Sequence, residues 1–138
     1  MTQSPATAAT GLTASRSGNA KALLAEMLRM LDRLLADGET GIIDLRAVPL
    51  TAEDRALLSE TLGSGAVEAR IDALGESQLV ETRYPGIWWV THKNEVGEIV
   101  AESIEVCCVP AILQTPVEDI ADGIEALRRA LAGGDREP

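Results

Sequence analysis

The residues of this chain that could do unusual chemistry are few: one histidine, two adjacent cysteines and a Trp-Trp pair. His92 is the only histidine, so any Ser-His-Asp or Cys-His arrangement hangs on a single imidazole, and a histidine-rich metal site is excluded. Cys107 and Cys108 are neighbours. On a strand their thiols face apart, and they have neither the C-x-x-C redox spacing nor that of a zinc ribbon. They read as two small buried hydrophobes, and a metal or iron-sulfur carrier using Cys107, Cys108 and His92 is the alternative. Gly63-Ser64-Gly65 follows a helical pattern where a phosphate-binding loop follows a strand, and it reads as a helix stop. Glu118, Asp119, Asp122 and Glu125 fall early in a helix, where carboxylates meet the positive end of the dipole, and read as a solvated face. No constellation here argues for catalysis, and no catalytic residue, metal or cofactor is expected.

The tryptophans raise a different question. "YPGIWWVTHKN", residues 84–94, has the composition of a strand, and successive strand side chains point to opposite faces. Trp88 and Trp89 therefore cannot both enter one core from one sheet face. "NEVG" has Asn94 and Gly97 where a type I turn with a glycine bulge wants them, pairing Asn94 with Glu98. Continued along the hairpin, that register sets Trp88, Val90, His92, Val100, Glu102, Ile104 and Val106 on one face. Ile87, Trp89, Thr91, Lys93, Ile99, Ala101, Ser103 and Glu105 take the other. The first face is the more apolar, which makes Trp88 the core residue, sets His92 diagonal to Glu102, and leaves Trp89 on the wetter side, either covered by the chain's own helices or in contact with a partner.

The elements that must hold these residues are legible from periodicity. Leu23, Leu24, Met27, Leu28, Leu31, Leu34 and Leu35 recur at helical spacing from Ala20 until Gly38 supplies a stop. A short strand is expected around Gly41 to Leu45. Thr51 opens a second helix with Asp54 in the position of a capping box, and Gly63 ends it. Alternating runs at 67–74, 77–84, 87–93 and 98–109 suggest a meander. Thr115, with Pro116 and Glu118 after it, marks the start of a last helix with one apolar stripe, Val117, Ile120, Ala121, Ile124, Leu127 and Leu131. The order is that of an α+β domain: a mostly antiparallel five-stranded sheet packed against about three helices. The expected organisation is a disordered arm over 1–18, a single domain over 19–132 and a flexible tail over 133–138.

Bulk properties narrow the partners. A chain of 138 residues fits one domain with a self-sufficient core. With no Phe, that core must be Leu, Ile, Val and Ala. A formal charge of −10 repels phosphate backbones and anionic lipid, so neither nucleic acid nor membrane is an expected partner. The first residues lack the apolar run of a signal peptide, and a cytoplasmic location with reduced cysteines is expected.

Several blocks also match a known pattern. "PLTAEDRALL" is followed by "DALGES" at Asp72 to Ser77 and by "ET" then "PGIWWV" over Glu81 to Val90. After these come "IEV" with "VP" over Ile104 to Pro110, and "PVEDI" at Pro116 to Ile120. In this order they resemble the C-terminal region of the hydrogenase expression/formation proteins of the HupH type, also called HoxQ or HyaF. The resemblance implies a non-enzymatic accessory protein, or chaperone, of nickel-iron hydrogenase maturation. Its partners would be the precursor of the iron-sulfur small subunit and other maturation proteins, with a homodimer left open. Together with the strand geometry it points to Trp89 as a partner-binding residue, on a contact surface that includes Tyr84 and Pro85.

Overall fold

The computed structural model describes residues 18–133, so the expected arm and tail lie, but for Gly18 and Gly133, outside the described residues. The chain divides into two compact units at Cys108/Val109. The first holds α1 (Asn19–Asp37), β1 (Gly41–Asp44), α2 (Ala52–Leu62), β2 (Glu68–Ala73), β3 (Gly75–Glu81), β4 (Ile87–Lys93) and β5 (Ile99–Val106). The second holds a 3-10 turn (Ala111–Leu113) and α3 (Val117–Gly133). Three helices and one five-stranded antiparallel sheet make this the expected α+β class.

The sequence signals act as their chemistry requires. α1 stops at Gly38, whose left-handed backbone (φ 76°) turns its N–H back to the Leu34 carbonyl at 2.9 Å. Thr51 and Asp54 form a complete capping box: the Thr51 hydroxyl accepts the Asp54 N–H at 3.1 Å, and the Asp54 carboxylate accepts the Thr51 N–H at 3.1 Å. α3 departs from expectation by one residue. The Ile120 N–H reaches the Pro116 carbonyl, so Pro116 takes the cap position assigned to Thr115.

Sheet order is β1-β5-β4-β3-β2, with every neighbouring pair antiparallel. Asn94 and Glu98 pair across the turn as expected, and Lys93 faces Ile99. Beyond that point the register slips. His92 faces Ala101, leaving Val100 as an extra residue on β5, and from there Trp89 faces Ile104 while Trp88 faces Glu105. This corrects the face assignment read from the turn: one bulged residue exchanges the two faces of β5 relative to β4. Ile87, Trp89, Ile104 and Val106 share the face that α1 and α2 cover. Gly41, opposite Val106, lies where a Cβ would come within 2.4 Å of Met30 Cε, so the glycine leaves room for the end of the Met30 side chain.

That face builds the core from Ala20, Met27, Met30, Leu45, Leu58, Leu62, Ile87, Ile104 and Val106, with Trp89 partly buried against it. The opposite face is buried too, at Leu79, Trp88 and Val90. Trp88 is a core residue as expected, 3% exposed, but on the face away from α1 and α2. Of the second unit taken by itself, α3 carries Ile120, Ile124, Leu127 and Leu131 along one side. Among the described residues no helix is long and apolar enough to cross a membrane.

Candidate functional site

α1 carries more leucine than the sheet can cover. Its Met27 and Met30 are buried, and Leu23, Leu24, Leu31 and Leu34 pack at the core margin. Leu28 and Leu35, one heptad apart on the outer side, remain 62% and 90% exposed. The β3–β4 turn closes against this side of the helix. Gly86 sits there at φ 99°, a conformation that favours glycine, and a Cβ on it would lie 3.0 Å from Leu31 Cδ2, so the turn packs close against the helix. The turn is tied down at both ends: Ile87 N–H donates to the Tyr84 carbonyl at 3.0 Å and Cys107 N–H to the Gly86 carbonyl at 3.0 Å.

Helix and turn enclose two adjoining hollows that share Leu31. One, of about 200 Å³, is lined by Leu24, Met27, Leu28, Leu62, Tyr84 and Ile87 among others. The second, of about 580 Å³, is lined by Leu34, Leu35, Glu81, Pro85, Gly86 and Cys108. The first is walled almost wholly by apolar groups and the second mostly so, with Glu81 in its lining, which is the composition of a protein-contact surface rather than of a site for polar chemistry.

The structure brings two of the three expected contact residues here. Tyr84 and Pro85 line the hollows. Trp89 lies apart from them, half-buried against the helical core, with its indole N–H donating to Glu102 Oε2 at 2.9 Å. The other oxygen of Glu102 accepts from the Arg55 guanidinium, so this carboxylate links α2 to β4 and β5. The leucines of α1 were missed as surface residues because their spacing reads equally well as core; the signal was a stripe of seven apolar positions, wider than one buried seam.

The residues of the carrier alternative are dispersed. His92 pairs across strands with Ser77, whose Oγ lies 2.7 Å from Nδ1, and not with Glu102, which the register slip moves to the other face. His92 stands at the hairpin end of β4, and the cysteines follow β5 beyond the opposite end of that strand. Five residues of strand separate those ends, about 17 Å. Cys107 is buried, and that burial, with the Glu105 carboxylate beside it, pushes its thiol up to about 11; Cys108 is exposed. Among the described residues no three His, Cys, Asp or Glu side chains gather as a metal ion requires.

The comparisons agree with the motif order. The family model described as HupH hydrogenase expression protein, C-terminal conserved region, matches residues 18–133. The hydrogenase expression/formation protein HoxQ of Azotobacter vinelandii is 33% identical over 114 residues, covering 80% of this chain and 40% of that protein. The hydrogenase expression/formation protein HupH of Rhodobacter capsulatus is 32% identical over 115 residues, covering 82% of this chain and 41% of that protein. The chain thus spans about two fifths of the length of these curated relatives. A solved structure, the hydrogenase expression protein HupH from Thiobacillus denitrificans ATCC 25259, superimposes with a TM-score of 0.81 at 42% identity, covering 85% of this chain and 98% of that one. The chain belongs to the HupH hydrogenase expression protein family, of which it carries the C-terminal conserved region.

Proposed function

We propose that the chain is an accessory protein of hydrogenase maturation that works by protein-protein contact, in the cytoplasm, on the precursor of the iron-sulfur small subunit and alongside other maturation proteins. The observation that carries this reading is the apolar surface of α1 and the β3–β4 turn, where Leu28, Leu35 and Tyr84 stand exposed together. Large apolar side chains grouped on a surface are the usual mark of an interaction site. The relatives are hydrogenase expression/formation proteins, and that supplies the process. The role is holding and positioning a partner, with no catalytic step assigned to any side chain.

The test is capture. Tagged chain in cells making hydrogenase is expected to bring down the small-subunit precursor, and the Leu28→Glu/Leu35→Glu variant to lose it while keeping its circular dichroism and melting temperature. Exposed positions such as these tolerate substitution within about 0.5 kcal/mol. A wild-type chain that never accompanies the precursor, or a variant that captures it equally well, overturns the proposal.

A further inference from the structure

The same surface also constrains the form of what docks there, given the contact reading above. From Leu24 to Leu35 the two hollows run along three turns of α1, about 16 Å at 1.5 Å per residue. The helical side of the groove offers a partner no run of backbone hydrogen bonds. From Leu24 to Leu34 the N–H and C=O groups of α1 are spent within the helix and its cap, the Tyr84 carbonyl already accepts from Ile87 N–H and the Thr82 hydroxyl, and the Gly86 carbonyl accepts from Cys107 N–H. An extended segment laid along that wall would bury the peptide groups facing it without partners, at a cost a helix avoids because its backbone is internally bonded.

Charge selects among helices. The cations on this stretch of α1 are already engaged: Arg29 with Glu26, and Arg33 with Glu26 and Glu39. Glu81, which lines the second hollow, and Asp32, one turn from both Leu28 and Leu35, take part in no ion pair among the described residues. The chain as a whole carries −10. We infer that the groove of α1 and the β3–β4 turn receives an amphipathic helix of about three turns, with a leucine-like stripe on one face and Lys or Arg at its margins.

The probe is a labelled peptide of about 15 residues with Leu at positions 1, 4, 8 and 11 and Lys on the remaining face, titrated into the full chain and followed by fluorescence anisotropy. Saturable binding is expected. It should weaken by about tenfold or more with a central proline, with Glu in place of every Lys, or with the Leu28→Glu/Leu35→Glu chain. Absence of saturable binding, or indifference to any of these three changes, overturns the inference. So does a wild-type dimer that the double substitution splits, since the surface would then belong to a second copy. Precursor capture without peptide binding defeats only the helical occupant; peptide binding without precursor capture defeats only the maturation role.

Discussion

The two tryptophans are expected to respond to Phe in the reverse order of their burial. Trp88 is 3% exposed, yet its indole Nε1 is buried with no hydrogen-bond partner among the described residues. Trp89 is the more exposed, but its Nε1 donates to a carboxylate. In Trp88→Phe, the void left by the smaller ring costs about 1 kcal/mol, and loss of the remaining apolar contact adds about as much. Removal of an unsatisfied buried donor returns about 1 to 3 kcal/mol, so the net change falls near zero. In Trp89→Phe there is nothing to return: the N–H lost was bonded to charge, worth about 1.5 to 3 kcal/mol, and Glu102 keeps only Arg55. Full truncation restores the ordinary ranking, with Trp88→Ala costing about 3 to 5 kcal/mol. The assay is urea unfolding followed by far-ultraviolet circular dichroism, since the fluorophores themselves are being changed, with midpoint and slope compared for all four chains. A Trp88→Phe chain destabilised by 3 kcal/mol or more would mean that Nε1 has an acceptor, and the argument for the inversion would fall.

Other expectations are quicker to state. Thr51→Ala should lower stability by about 1 kcal/mol through loss of half the capping box, whereas Thr115→Ala, one residue outside the observed cap, should move the denaturation midpoint hardly at all. In native protein at neutral pH a thiol reagent should modify Cys108 rapidly and Cys107 only after denaturant is added; equal rates would refute the burial of Cys107. Because burial raises the Cys107 thiol in the folded state, the stability it contributes is complete below the unfolded value near 9 and is lost as pH climbs toward 11, by up to about 3 kcal/mol. Cys107→Ala should flatten that part of the pH-stability curve. Gly86→Ala should cost about 1 to 2 kcal/mol by thermal melting, because φ 99° strains any residue with a Cβ, and a melting temperature unchanged from wild type would refute that.

How much of this protein was legible in its sequence depended on the range of the force involved. Gly38 ends α1, Thr51 and Asp54 close their box, and Asn94 with Gly97 makes the hairpin turn, because each is settled by atoms within a few residues of one another. The strand order was within reach for the same reason: β2 to β5 are joined in succession by short connections, and consecutive antiparallel strands pair. The order of motifs likewise carried the family, since it needs no geometry. Three-dimensional packing decided the rest. Val100 bulges from β5, and a one-residue slip turns every later side chain over, so Trp89 rather than Trp88 meets the helices and Glu102 leaves His92 for Trp89 and Arg55. Nothing in the local sequence distinguishes a strand with that extra residue from one without it. The leucine stripe of α1 is the converse case, since helical periodicity places all seven apolar residues on a broad side. Which of them face the core is settled by the packing of α1, with Ala20, Met27 and Met30 buried and the Gly86 turn against Leu31, and Leu28 and Leu35 are left outside to form a surface.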